Sequence, residues 1–192
     1  MNNRGILFVM SGPSGVGKGT VARVLKQRNE NITESVSATT RAPREGETHG
    51  KEYFFISKQQ FESGIEKGAF IEYSAHFENY YGTPRAYVEQ MLQTKDVLLE
   101  IDVNGGLSVK ELYPEAVLIM IAPPKMEDLK SRLEGRNTET AEKIALRLQR
   151  AEFELALSSK YDYVVVNDVP ESAAMRIEQI LEQEKNKRNQ SR

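Results

Sequence analysis

Apolar residues concentrate in short runs at positions 6–10, 97–103, 117–122 and 163–166, with a weaker run at 35–39. Runs of this length with little polar alternation predict strands covered on both faces. Helical spacing takes over between them, over 86–92, 126–133, 141–157 and 172–181; Ile144, Leu148, Ala151 and Leu155 share one stripe. Strands alternating with helices imply an α/β fold with a parallel sheet flanked by helices. Two stretches break the rhythm. Residues 35–84 turn polar and aromatic, with a short strand candidate at 53–56, and read as a small inserted module. Residues 125–159 are charged and helical, and Pro123-Pro124 bends the chain into them. The pattern therefore divides the chain into a core (1–34, 85–124 and 160–192), a module (35–84) and a lid (125–159), within one unit spanning 5–183. Residues 182–192 lack apolar periodicity and predict a frayed, solvated end to the last helix.

Directly after the first run stand Gly12, Pro13, Ser14, Gly15, Val16, Gly17, Lys18, Gly19 and Thr20, followed by Val21, Val24 and Leu25 at helical spacing. Strand, glycine loop and helix in this order make a phosphate cradle. Glycines let successive backbone N–H groups turn inward, the helix presents its positive end, and Lys18 supplies a mobile charge for the outer phosphates of a nucleoside triphosphate. Gly19 stands where the general phosphate loop has the Ser or Thr that reaches magnesium. Mg2+ is then expected to be held through phosphates and water, with Asp102 as the candidate protein ligand.

Composition narrows the class. With 192 residues the chain is long enough for one compact α/β unit with inserts. A net charge of -2 gives no general electrostatic grip on nucleic acid or anionic membranes, and neither is expected as a partner. No cysteine is present, which excludes disulfides and thiolate metal sites. No apolar run is long enough to span a bilayer and the N-terminus lacks a signal-peptide core, so a cytoplasmic location is expected. A homodimer is compatible with the sequence.

The inserts carry further candidate chemistry. Arg41 and Arg44 lie three apart in a polar turn stiffened by Pro43, and two guanidinium forks suit a phosphate monoester. Tyr53, Tyr80 and Tyr81 fall in the same module and can add phenol hydrogen bonds. Glu100 and Asp102, two apart near the end of a core strand, are expected to face the cleft together. Arg132 and Arg136 share a helical face, and with Arg147 they form a basic lid over the triphosphate. His49 and His76 have no evident partners and receive no role.

Taken together, Gly12 to Thr20, the stretch Ser37-Ala38-Thr39-Thr40-Arg41-Ala42-Pro43-Arg44-Glu45-Gly46, Phe70-Ile71-Glu72-Tyr73, Asn79-Tyr80-Tyr81-Gly82-Thr83, Gly135-Arg136-Asn137-Thr138-Glu139-Thr140 and Tyr161-Asp162-Tyr163 with Val166-Asn167-Asp168 make the chain resemble the guanylate kinases. The likeness spans nearly the whole chain and implies a P-loop kinase core and the reaction ATP plus GMP giving ADP plus GDP. By the same resemblance Arg41, Arg44, Tyr53 and Tyr81 bind the GMP phosphate, while Ser37, Glu72 and Thr83 read the guanine. Glu100 and Asp102 complete the GMP side, and Arg136 and Arg147 contact phosphates in the closed state. Asn167 lies beside the adenine of ATP. Lys18, Arg44, Arg136 and Arg147 are the implied catalytic set.

Glu72 also makes chemical sense by itself: guanine offers adjacent N1 and N2 donors to a carboxylate, whereas adenine presents an unprotonated N1. Relatives commonly carry Asp at the position of Glu100 and Gln at that of Asn104. The rival reading is a non-catalytic guanylate kinase-like module that binds phosphorylated proteins; the intact phosphate loop and lid arginines favour catalysis.

Overall fold

The computed structural model describes residues 4–76, 78–135 and 140–190. In chain order the elements are β1 (Leu7–Ser11), α1 (Lys18–Arg28), β2 (Ile32–Glu34), β3 (Ala38–Thr39), β4 (Phe54–Phe55), α2 (Lys58–Glu66), β5 (Phe70–His76) and β6 (Asn79–Pro84). They continue with α3 (Arg85–Met91), β7 (Asp96–Glu100), α4 (Val103–Leu112), β8 (Val117–Ala122), α5 (Met126–Glu134), α6 (Ala141–Ala156), β9 (Tyr163–Val166) and α7 (Pro170–Gln190). A short 3-10 turn, Leu157–Lys160, joins α6 to β9.

Five strands form a parallel sheet in the order β2-β7-β1-β8-β9. Its centre, β1, is buried along its whole length, as an apolar run covered on both faces requires. One face packs α1 and α7 through Phe8, Leu25, Ile119 and Ile177; the other packs α3 and α4 through Val9, Val88, Leu99 and Val109. After β1 the chain builds one side of the sheet and later returns to the other. The C-terminal end of β1 is therefore the switch point at which open α/β sheets bind ligands. The phosphate loop sits there.

A second sheet of four strands, in the order β4-β3-β6-β5, makes up the inserted module around Ala38, Phe61 and Phe70. Here the sequence reading needs correction. The run at 35–39 is not a core strand: the Ser35 N–H still bonds the Leu98 carbonyl at 2.9 Å, but Ala38–Thr39 pairs with β4 and β6, and the core edge is Ile32–Glu34. Helix α2 begins at a Ser57–Gln60 capping box, a local signal that polar surroundings obscure.

The strand expected over 97–103 ends at Glu100, because Asp102 turns out of the sheet to cap α4, its Oδ1 accepting the Gly105 N–H at 2.8 Å. Gly105 and Gly106 mask that helix in the sequence. The tail finishes the last helix and is largely exposed, as expected, but it is not frayed over the described residues, since α7 continues to Gln190. Lys185 donates to Asp96 at 2.6 Å and Arg188 to the Glu115 carbonyl at 2.7 Å, polar ties that apolar periodicity cannot register.

Candidate active site

The phosphate loop takes its shape from glycines in positive φ. Gly15 and Gly17 have φ of 88° and 97°, and a Cβ on Gly17 would fall 2.6 Å from Asn167 Nδ2. Helix α1 starts without a side-chain cap, so its first N–H groups point towards the loop. Lys18 Nζ donates to the carbonyls of Gly12 at 2.7 Å and Pro13 at 3.2 Å, which aims it back across the loop. Burial lowers the lysine's proton affinity, while the negative charges of Glu100, Glu154 and Asp102 oppose that shift. Among the described residues Lys18 makes no ion pair within 4 Å, and its hydrogen bonds go to backbone carbonyls.

Other elements buttress the loop from outside. Asn167 is buried; its Nδ2 donates to the Val16 carbonyl at 2.8 Å, and its Oδ1 has no hydrogen-bond partner. Arg132 of α5 donates to the Val16 and Asn167 carbonyls, each at 3.0 Å. From α6, Arg147 Nη1 reaches Ser14 Oγ at 3.2 Å, so α6 lies against the loop. Arg136, with residues 137–139, lies outside the described residues.

The module gathers a second polar cluster. Arg41 grips both carboxylate oxygens of Glu47 at 2.8 and 2.9 Å, and Tyr81 also bonds it. Its guanidinium carbon lies 5.5 Å from the Tyr53 ring centre and 5.8 Å from that of Phe55. Tyr53 and Tyr81 meet edge to face at 6.0 Å. Arg44 joins through its backbone, whose N–H donates to Glu47 at 2.7 Å, and its side chain is exposed.

Glu47 and Phe55 were not legible as site residues; the acidic run after the arginines was the available signal. Tyr80 departs from the tyrosine group, stacking on Phe61 at 5.2 Å in the module's core. His49 is structural, its Nδ1 accepting the Phe55 N–H at 3.2 Å.

Glu72 lies on β5 with Oε1 accepting the Thr83 hydroxyl at 2.6 Å. Burial pushes its carboxyl above the usual range, and the Thr83 bond opposes that shift. Ser37 directly precedes β3, whose Ala38 stands opposite Gly82, so the register carries Ser37 towards Thr83. Across the cleft, burial and then Glu34 push the Glu100 carboxyl upward. A Cβ on Gly19 would lie 3.6 Å from Glu100 Oε2, placing that carboxylate at the root of α1. Asp102 is reached through its helix cap, not by strand alternation with Glu100.

A cavity of about 500 Å³ runs beside Glu72, Tyr73, Asp102, Asn104 and Arg150. A larger hollow of about 900 Å³ lies at the opposite end of the sheet, near Arg4, Asp96, Lys185 and Arg188. The convergence of charges, not cavity size, locates the chemistry.

The guanylate kinase family model matches residues 4–184. Guanylate kinase of Lactococcus lactis subsp. lactis is 50% identical over 185 residues, covering 96% of this chain and 90% of that protein. Guanylate kinase of Halalkalibacterium halodurans is 50% identical over 186 residues, with 96% and 91% covered. The crystal structure of guanylate kinase from Anaplasma phagocytophilum superposes with a TM-score of 0.73 at 37% identity, covering 95% of this chain and 87% of that one. These matches run through the phosphate loop, the module and the lid alike: the chain belongs to the guanylate kinase family.

Proposed function

We propose that the protein transfers the γ-phosphoryl group of ATP to GMP, giving ADP and GDP, and that the residues gathered at the switch point divide that work. The observation that carries this reading is the pairing of an intact phosphate loop and Lys18 with a half-buried carboxylate, Glu72, held by Thr83. A phosphoprotein-binding module would need neither a lysine aimed into a triphosphate cradle nor a carboxylate shaped for guanine.

Phosphoryl transfer requires in-line placement and positive charge more than covalent help. A phosphate oxygen of GMP attacks the γ-phosphorus, the bond from that phosphorus to the bridging oxygen breaks, and the electron pair leaves on ADP. The attacking oxygen is already anionic at neutral pH, so no general base is needed. The loop N–H groups and Lys18 hold the outer phosphates of ATP. Arg41 and Arg44, with Tyr53 and Tyr81, hold the GMP phosphate. Arg147, together with Arg136, brings lid charge to the transferring group and excludes water. Ser37, Glu72, Thr83 and Asp102 read the base, and Asn167 borders the adenine end of the loop.

Mg2+ enters as part of the nucleotide substrate and neutralises phosphate charge. Among the described residues no group of three or more His, Cys, Asp or Glu side chains is placed to hold a metal. An ion carried by phosphates and water would have Asp102, and Glu100 beside it, as its nearby protein partners. The acceptor range extends to dGMP, since no side chain is identified that must read the ribose 2′-hydroxyl. The reaction belongs to purine nucleotide interconversion in the cytoplasm. No helix among the described residues is long and apolar enough to cross a membrane.

ADP release from magnesium-ATP with GMP, dGMP, AMP, CMP and UMP tests the assignment. GMP and dGMP should support turnover. A preference for any other base would overturn the reading of Glu72.

A further inference from the structure

We infer that Tyr161, acting with Ser11, is a positioning residue that fixes the guanine-side carboxylate of Asp102 relative to the phosphate loop. The inference rests on the reading of Asp102 as a GMP contact.

Ser11 is the last residue of β1 and directly precedes Gly12; it is fully buried. Its hydroxyl bonds the carbonyl of Asp102 at 3.1 Å, across 91 positions of sequence. Tyr161, buried just before β9, donates its hydroxyl to the carbonyl of Val103 at 3.2 Å, and both hydroxyls crowd the same point of α4, at Gly106. Each hydroxyl has one proton, and each spends it on one of two consecutive carbonyls, Asp102 and Val103. The Asp102 carbonyl already accepts the Gly106 N–H at 3.0 Å. The serine therefore takes a second lone pair that helix formation does not require, and the pair of hydroxyls fixes the lateral position of the helix turn.

Gly106 is the independent sign that this approach is built in. Any Cβ there would lie 2.5 Å from the Tyr161 hydroxyl and 3.0 Å from Ser11 Oγ. A glycine inside a helix is unfavourable, and here it clears the space the two hydroxyls occupy. Asp102 spends Oδ1 on capping α4, and its negative charge is felt at both Glu72 and Lys18. Its position thus bears on both halves of the cleft.

Guanine presents three N–H bonds on the edge that Glu72 faces: one at N1 and two at the exocyclic amine. The two oxygens of Glu72 can accept two of them, which leaves the second amine proton for Asp102. Inosine monophosphate lacks the amine and cannot use that contact. Tyr161 and Ser11 are accordingly set to tune the choice of GMP over IMP, without touching either nucleotide.

The test compares wild-type protein with Tyr161→Phe and Ser11→Ala, measuring kcat and KM for GMP, IMP and ATP alongside the thermal midpoint. For Tyr161→Phe, the KM for GMP should rise roughly 5- to 10-fold while values for IMP and ATP stay within about twofold, so that GMP selectivity falls. Ser11→Ala should shift selectivity in the same direction, which keeps the test decisive if one variant folds poorly. A uniform loss on all three nucleotides, tracking the thermal midpoint, would show packing alone and overturn the inference, as would unchanged selectivity in both folded variants. If the wild-type protein itself failed to prefer GMP over IMP, the underlying assignment of Asp102 would fall, and the inference with it.

Discussion

At Glu72 the contribution to stability and the proposed role in reading guanine oppose each other. Burial raises its carboxyl above the ordinary value, so the folded protein binds that proton more tightly than the unfolded chain. Stability associated with this group is present at low pH and is lost as pH rises through the raised value, whereas the guanine recognition proposed for it needs the ionised form. Glu72→Gln should therefore lower kcat/KM for GMP by roughly 100-fold or more, because a charged base-reading contact is lost. The same variant should melt at a higher temperature than wild type at neutral pH, with the difference closing as pH falls. A pH series of melting curves checks the sign. Arg41 offers a second residue-scale test: Arg41→Lys keeps the charge but loses the fork, and the KM for GMP should rise by about tenfold with a smaller change in kcat. Glu72 was readable from its motif, but its Thr83 partner was not readable as a bond, since the two meet only across neighbouring strands.

Among the elements, the phosphate loop was the most legible, because strand, glycines and helix are contiguous in sequence and each local preference points the same way. Its bracing was not. Arg132 and Asn167 converge on the Val16 carbonyl from α5 and from the end of β9, over 116 and 151 positions of sequence. Gly17 stands at the closest point of that brace, with positive φ and with Asn167 against its Cα. Gly17→Ala should cost about 1–3 kcal/mol through backbone strain and should raise the KM for ATP more than that for GMP. Urea unfolding and steady-state kinetics separate the two effects. Helix α4 stayed hidden for the opposite reason. Its glycines argue locally against a helix, and what requires Gly106 there is a tertiary contact with Tyr161.

At the scale of the whole molecule, the phosphate loop and its proposed partners collect at the C-terminal ends of the core strands, while the other end holds the chain together. Asp96 starts β7 there, buried, with Oδ1 accepting the Ile6 N–H at 2.9 Å and Oδ2 accepting Lys185 of α7 at 2.6 Å. The first and last parts of the chain are thus tied through one carboxylate. Asp96→Ala leaves the Ile6 donor and the lysine without it, and should lower stability by about 3 kcal/mol. kcat and KM at 25 °C should be unchanged, as chemical denaturation and kinetics on the same preparation would record. The parallel sheet and most of its flanking helices followed from the alternation of apolar runs and helical stripes. The division of labour between the sheet's two ends did not, because it depends on polar contacts that carry no period.

The most direct test of the account follows the phosphorus atom. With ATP labelled at the γ-phosphoryl group and GMP as acceptor, the wild-type protein should yield GDP carrying the label at its β-position, in amounts equal to the ADP formed. Lys18→Ala should bind GMP yet form almost no labelled GDP. Label released as inorganic phosphate, or GMP bound by the wild-type protein with no transfer at all, would contradict the assignment of this site as a GMP kinase.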